Sequence, residues 1–164
     1  MAKTLTATLH NLGGLRFMGE TPDGQRVMID NEKVARTGMS PMQLVLNAVG
    51  ACAAMDVSHM LAKRRLQVRS YTVELVGERV DDVPSPFTKI RARHVLDVPG
   101  LTREQAERLV DLATHKYCSV GASLKAELVA EVILLHEEPA TAAPDPAAAG
   151  PAAPEPAAAP ERTA

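Results

Sequence analysis

Residues 40–57 of this 164-residue chain, SPMQLVLNAVGACAAMDV, carry its clearest structural pattern. Ser40 followed by Pro41 is typical of a helix start, because serine is favoured at the N-cap and proline at the first helical position. The basic residues 63–65 suit the negative end of the helix dipole. Residues 48–55, AVGACAAM, are nearly all small and let other elements approach closely. The sequence therefore predicts a buried central helix from Pro41 to residue 65.

Strands are predicted on both sides of this helix. Before it, short apolar or alternating stretches separated by Gly and Pro turns indicate a three-stranded meander over residues 3–10, 15–20 and 25–30. After it come predicted strands over 68–80, 88–98 and 126–137. Before the last of these strands, Thr102 and Gln105 form a capping box for a second helix. The order βββ–α–ββ–α–β predicts an α+β fold with antiparallel sheets around the buried central helix.

The last part of the chain differs from the rest. Residues 139–164, PATAAPDPAAAGPAAPEPAAAPERTA, are almost entirely Ala and Pro. Prolines every few residues prevent a helix, and there is no apolar stripe whose burial would offset the entropy of ordering the segment. We therefore predict one domain over residues 1–138 and a disordered tail over residues 139–164.

Composition and charge argue against several classes of protein. The net charge is −2 with acids and bases interspersed, and aromatic residues are few, so no nucleic-acid surface is predicted. Residues 1–10 lack the apolar region of a signal peptide, and no stretch approaches the roughly 18 apolar residues of a membrane span. We expect a cytoplasmic protein. In that reducing compartment, two cysteines are more often reactive, metal-binding or simply buried than joined in a structural disulfide.

The two cysteines are Cys52, about three turns into the central helix, and Cys118, near the end of the second helix. Two such thiols can reduce a peroxide. The first attacks the O–O bond and becomes a sulfenic acid, and the second condenses with it to a disulfide. That reaction needs Cα atoms about 4.4–6.8 Å apart. The alternative is inert core packing, because free cysteine is among the most buried residue types.

Two other arrangements are weaker. Cys52, Asp56 and His59 share one helix face, but His59 would lie about 10 Å along the axis from Cys52, too far for a base. Asp56 and His59 are better interpreted as a local pair. His115 with Cys118 and Cys52 would offer three metal ligands, but no CxxC or HExxH motif accompanies them, so no metal site is predicted.

Three stretches resemble the OsmC/Ohr family, and most closely its YhfA-like branch. Residues 40–57 are similar to the family's first-cysteine motif, in which a cysteine lies eleven residues after the proline that opens a helix. Residues 115–124, HKYCSVGASL, are similar to its second-cysteine motif. Residues 12–30, LGGLRFMGETPDGQRVMID, resemble its N-terminal sheet. The resemblance covers residues 1–138 and excludes the Ala/Pro tail.

The resemblance implies an intertwined homodimer with both cysteines near the subunit interface. It also implies thiol-dependent reduction of organic or lipid hydroperoxides in an oxidative stress response. Cys52 would be the peroxidatic residue and Cys118 the resolving residue. A dithiol, either small or protein-bound and of the lipoyl type, would then reduce the disulfide, and no further cofactor is implied.

The chain departs from the family at the position of an acid. In the peroxidase branches, an acid follows the helix-opening proline and orients an arginine that holds the thiolate, whereas this chain has Met42 there. One branch carries that arginine just after the N-terminal Gly-Gly, near Arg16. Another carries it in the loop before the central helix, where this chain has Lys33 and Arg36. Arg16 and Arg36 are therefore the candidates for the cation that activates Cys52.

The leading hypothesis is a two-cysteine hydroperoxide reductase. One alternative is a non-catalytic module whose cleft, made more apolar by Met42, binds a small apolar ligand. Another is a redox sensor whose cysteines register oxidant without efficient turnover.

Overall fold

The computed structural model describes residues 3–136, so the predicted tail at 139–164 lies outside the described residues. The N-terminal strands are β1 (Thr8–Gly13), β2 (Arg16–Glu20) and β3 (Arg26–Asp30), and the long helix is α1 (Pro41–Lys63). There follow β4 (Ser70–Arg79), β5 (Phe87–Asp97), α2 (Arg103–Asp111), a π-helical turn (Leu112–Tyr117), α3 (Ser119–Ala122) and β6 (Glu127–Leu134). The predicted α+β class and element order are confirmed.

The first three strands form an antiparallel sheet with two unlike faces. Paired residues point to the same side of a sheet and sides alternate along a strand. The register therefore places ion pairs such as Arg26–Glu20, at 3.1 Å, on one side. The other side, here called the apolar face, carries Leu9, Phe17, Val27 and Ile29. Leu9 is 62% exposed and Val27 is 44% exposed, so this face is uncovered within the described chain.

The second sheet has the strand order β4-β5-β6. Strands β4 and β5 are antiparallel as predicted, but β5 and β6 are parallel, so the expectation of purely antiparallel sheets is wrong for β6. The connection between β5 and β6 is long enough to make them parallel. Parallel neighbours need a crossover of a dozen or more residues, and α2, the π-helical turn and α3 provide it.

Strand β5 shows the predicted alternation. Its buried residues face the helices, and they are Ile90, Ala92, His94 and Leu96. The other side carries cross-strand ion pairs: Arg93 with Glu74 and Glu131, Arg91 with Glu78, and Lys89 with Glu127. One face of this sheet is therefore core and the other is polar.

A buried histidine lies within the core side of β5. His94 is fully buried, and its Nδ1 lies 2.6 Å from the Tyr71 hydroxyl. Burial lowers the pKa of His94 to about 4, so the ring is neutral at physiological pH. A neutral ring donates from one nitrogen and accepts at the other, so the tautomer of His94 sets the direction of its hydrogen bond with the Tyr71 hydroxyl.

Helix α1 begins where the sequence predicts. Ser40 is the N-cap and forms a capping box with Gln43, and Pro41 is the first helical residue. One side of the helix is buried, formed by Val49, Gly50, Ala53, Val57 and Leu61. The opposite side is open within the described chain, with Met55 71% exposed. The central helix is thus covered along one stripe in a single chain rather than on all sides.

The composition of α1 has a further consequence. The helix has 23 residues and a mean hydropathy of 1.5 over an 18-residue window, enough to cross a membrane by length and composition. The sequence prediction that no stretch approaches such a span is therefore wrong on these two criteria. The buried stripe of α1 packs in the core of the domain, and a core helix of small apolar residues has the same composition.

The core lies between the C-terminal half of α1, helix α2 and the second sheet. Its fully or almost fully buried members include Leu61, Leu96, Val98, Leu101, Leu109 and Val110. The N-terminal half of α1 approaches β4 instead, and Gly50 lies directly over Leu75. A Cβ at Gly50 would be 2.5 Å from Cδ1 of Leu75 and 2.9 Å from its Cδ2. The missing side chain lets α1 lie this close to the sheet.

We expect Gly50→Ala to lower the free energy of unfolding. Alanine gains about 1 kcal/mol of helix propensity, but overpacking a core costs about 1–3 kcal/mol. Chemical denaturation measures the balance. In a Leu75→Ala background the contact is gone, so Gly50→Ala should stabilise there. If it stabilises the parent protein equally, the close contact does not explain the glycine.

Candidate functional site

The structure brings Cys52 and Cys118 together. Cys52 lies on α1 and is half-buried, whereas Cys118 lies between the π-helical turn and α3 and is only 4% exposed. Both thiols are free. The two side chains lie close enough to interact, since Cys52 raises the pKa of Cys118. Two residues 66 positions apart in the chain therefore form one site, which sequence alone could not show.

Two backbone groups orient the Cys118 thiol. The N–H of Gly121, in the first turn of α3, donates to Sγ at 3.2 Å. Sγ in turn lies 3.8 Å from the carbonyl oxygen of Val49, three residues before Cys52 on α1. The thiol is thus held between α3 and the helix that carries the other cysteine.

The surroundings of Cys118 favour its protonated form. Burial raises the pKa of Cys118, and the neighbouring Cys52 raises it further, while the Gly121 amide acts in the opposite direction. A thiolate rather than a thiol is the nucleophile. Cys118 is therefore the less suited of the two to make a first attack on a dissolved substrate, and the half-buried Cys52 is also easier for a substrate to reach.

Arg16 forms an ion pair with a buried carboxylate. Its Nε lies 3.1 Å from Oδ2 of Asp30, which is fully buried, and its terminal nitrogen donates to the carbonyl of Ala35 at 3.1 Å. Asp30 also accepts from the backbone N–H of Thr37 at 2.7 Å and of Glu32 at 2.8 Å. These amides, then Arg16, hold the pKa of Asp30 well below its usual range, although burial opposes them.

Arg36 is placed differently. It is exposed, and its Nε donates to the backbone carbonyl of Glu32 at 3.2 Å. Within residues 3–136, neither Arg36 nor Arg16 donates a hydrogen bond to Cys52. Arg16 and Arg36 looked equivalent in the sequence, but they differ in the structure. Arg16 holds its loop against Asp30, whereas Arg36 is exposed to solvent.

The weaker arrangements from the sequence are not assembled. In the described part of the chain, no group of three or more His, Cys, Asp or Glu side chains is placed to hold a metal ion. The expected local pair of Asp56 and His59 forms no hydrogen bond among the described residues. His115 is engaged elsewhere, with Nδ1 2.9 Å from Oδ1 of Asp111 and Nε2 3.1 Å from the carbonyl of Leu128.

Three contacts of the candidate residues were missed in the sequence: Gly121 with Cys118, Asp30 with Arg16, and His115 with Leu128. Gly121, Asp30 and His115 each act through contacts that are set by the fold. Only His115 had a local signal, because Asp111 precedes it by four residues, the spacing at which helical side chains meet. Gly121 has no room for a side chain, since a Cβ there would be 2.5 Å from Cδ1 of Leu128.

Comparison with known families gives one match over most of the domain. Residues 32–132 match the model of the OsmC family, described as OsmC-like protein. Protein YhfA of Escherichia coli strain K12 is 37% identical over 112 residues, which cover 68% of this chain and 83% of YhfA.

Solved structures agree on the fold. An OsmC-like protein of unknown function from Vibrio cholerae superposes with a TM-score of 0.69 at 20% identity, covering 80% of this chain and 100% of that one. The organic hydroperoxide resistance protein OhrB of Bacillus subtilis gives a TM-score of 0.51 at 24% identity, covering 79% and 97% respectively. At these identities the likeness shows the fold alone.

We expect Arg16→Gln to lower the melting temperature by several degrees, because Asp30 then keeps a buried charge with one donor fewer. Arg36→Gln, the same substitution next to Ala35, which Arg16 contacts, should leave the melting temperature nearly unchanged. Thermal unfolding followed by circular dichroism measures both variants. Equal shifts would contradict the different placements of the two arginines.

Proposed function

The chain belongs to the OsmC-like protein family, and we propose that it reduces organic hydroperoxides with Cys52 as the peroxidatic and Cys118 as the resolving cysteine. One observation carries this proposal. Two free thiols from distant parts of the chain interact, and the more accessible one lies beside a buried one. A purely structural role for the cysteines would not require this pairing.

The reaction balances with two thiols and one external dithiol. The Cys52 thiolate attacks the outer oxygen of ROOH, the O–O bond breaks, and the alkoxide leaves and takes up a proton as ROH. Cys118, after loss of its proton, attacks the sulfur of the resulting sulfenic acid, which forms the disulfide and releases water. A dithiol of the lipoyl type then supplies two electrons and two protons to restore both thiols.

The relatives support the reaction class without defining it. OhrB of Bacillus subtilis is named an organic hydroperoxide resistance protein, and so is an OsmC protein of Legionella pneumophila. The name of YhfA states no activity. The assignment of roles to Cys52 and Cys118 therefore rests on the unequal environments of the two thiols.

We assign the activating cation to Arg36. Arg16 is bound to Asp30 and the Ala35 carbonyl, whereas Arg36 is exposed and makes one described bond, through Nε. Since neither arginine donates a hydrogen bond to Cys52 among residues 3–136, a second copy would supply Arg36 to the site. Such an arrangement needs a homodimer.

The apolar face of the N-terminal sheet supports that homodimer. A contiguous exposed apolar face of this kind marks a surface on which another chain packs. The face lies uncovered in the described chain, and a single bridge, Ile29 to Met39, joins β3 to the segment just before α1. We propose that a second copy covers it, and that the protein acts in the cytoplasm, where dithiol reductants keep cysteines reduced.

A second candidate function follows from the open side of α1. Met55 is 71% exposed three residues after Cys52, and Met42 is half-buried at the start of the helix. Such flexible apolar side chains suit a small apolar ligand. The reductase is the stronger proposal because binding an apolar ligand gives no reason for two interacting thiols.

Reduced protein mixed with stoichiometric cumene hydroperoxide at neutral pH should form a Cys52–Cys118 disulfide rapidly. Mass spectrometry of free thiols and trapped sulfenic acid measures how fast this disulfide forms. Cys118→Ser should accumulate sulfenic acid at Cys52, and Cys52→Ser should stay reduced. Arg36→Gln should slow the first step at least about tenfold, equivalent to about 1.4 kcal/mol of barrier. If both thiols stay reduced for many minutes, the reductase proposal fails and the apolar-ligand function takes its place.

Val27→Glu should convert the dimer to a monomer, because it buries a charge in the centre of the apolar face. Sedimentation velocity measures the molar mass. Val83→Glu is the matched control, since Val83 is 93% exposed and lies in the loop between β4 and β5. A monomeric parent protein, or equal effects of the two changes, would contradict the proposed interface.

A further inference from the structure

The segment that carries Cys118 is joined to strand β6 through His115. This residue lies in the π-helical turn, three positions before Cys118. Its Nδ1 is 2.9 Å from Oδ1 of Asp111 on α2, and its Nε2 is 3.1 Å from the backbone carbonyl of Leu128 on β6. We call the contacts of Asp111, His115 and Leu128 the His115 bridge.

Both partners of the ring are acceptors. An ionised carboxylate and a backbone carbonyl have no proton to give, and a neutral imidazole donates from only one of its nitrogens. Both contacts can therefore be hydrogen bonds at the same time only when His115 is an imidazolium. The complete His115 bridge is thus a property of the protonated ring.

The surroundings favour that protonated form. The Leu128 carbonyl, followed by the Asp111 carboxylate, raises the pKa of His115 above its ordinary value, although partial burial opposes them. Asp111 is the charged group that acts on the ring among the described residues, and β6 contributes only the carbonyl. Glu127, which precedes Leu128 on β6, is paired with Lys89 of β5 at 3.1 Å.

The same residue of β6 also contacts the turn beyond Cys118. The Leu128 side chain packs against Gly121, since its Cδ1 occupies the space where a Cβ would lie, 2.5 Å away. Gly121 donates its N–H to Cys118 Sγ. Leu128 thus contacts the segment on both sides of Cys118. Its backbone carbonyl contacts His115, and its side chain packs against Gly121.

We propose that protonated His115 is a positioning residue for Cys118, which holds residues 112–121 on β6 so that the resolving thiol stays buried beside Cys52. Its part in the resolving step rests on the proposed reductase function, but its effect on the burial of Cys118 does not. The His115 bridge is complete below about pH 6.5, the ordinary histidine pKa. As pH rises through the higher value of the folded protein, the ring keeps one proton, which stays on Nδ1 because the hydrogen bond to the charged Asp111 carboxylate is the stronger one, and the bond to the Leu128 carbonyl is lost.

Alkylation of Cys118 by N-ethylmaleimide in a Cys52→Ser background tests the positioning without any peroxide. Rates are compared between variants at the same pH, about 5.5 and about 8.5, on either side of the histidine range. His115→Phe should react several-fold faster than its parent at the lower pH and at about the parent rate at the higher one. The control is His10→Gln, which removes an exposed histidine paired with Glu20 on the N-terminal sheet and should match the parent at both.

Asp111→Asn separates positioning from a general loss of structure. An asparagine amide donates to Nδ1 of the neutral ring, while Nε2–H still donates to the Leu128 carbonyl. The bridge then persists at the higher pH, so Cys118 should react more slowly there than in the parent. If Asp111→Asn behaves like His115→Phe, or if the ratio for His115→Phe does not change with pH, the proposal is overturned.

The effect on the reaction is measured separately with cumene hydroperoxide, in chains that keep both cysteines. At the lower pH, His115→Phe should form sulfenic acid at Cys52 at the parent rate but close the disulfide several-fold more slowly. Unchanged disulfide closure with normal Cys52 oxidation overturns the role of His115 in resolution. If Cys52 is not oxidised in the parent protein either, the reductase function fails, and the alkylation results alone decide the positioning.

Discussion

The close approach of α1 to β4 positions both the core and the two cysteines. Gly50 lies against the Leu75 side chain with no room for a methyl group. The short distance between α1 and β4 sets the position of Val49, whose carbonyl lies within reach of the Cys118 thiol. It also sets the position of Cys52, one turn further along the helix. If α1 lay further from the second sheet by the width of one side chain, the two cysteines would be separated. The run of small residues in α1 is therefore a requirement of the site as well as of the core.

The two thiols differ because the elements that carry them differ. Cys52 is on a long helix with one open side, so its exposure follows from an incomplete covering of α1 within one chain. Cys118 lies where a π-helical turn meets a short helix, and backbone groups surround it. In the proposed reaction, placing one thiol near solvent and the other in the core separates capture of an oxidant from closure of a disulfide.

What the sequence predicted well was governed by local chemistry. The start of α1 and the capping box at Thr102 depend on residues within one turn, and both occur as expected. The parallel pairing of β6 depends on a partner 38 positions away, as in Arg93 and Glu131, and no local pattern indicates it. Arg16 and Arg36 looked alike for the same reason, since the buried carboxylate of Asp30 that distinguishes them is brought near by β2 and β3 pairing. The cysteine motifs were recognisable, but their proximity was a property of the fold.

The parallel pairing of β5 with β6 also bears on the order in which the chain folds. Strand β5 can pair early with β4, its neighbour in sequence, but its other edge stays open until the whole crossover has formed. Pairings between distant segments close large loops and are reached late. Until Glu127–Leu134 docks, one edge of β5 presents unpaired backbone groups, which are a template for pairing with other chains. Strand β6 thus protects a newly made chain from aggregation in addition to completing its core.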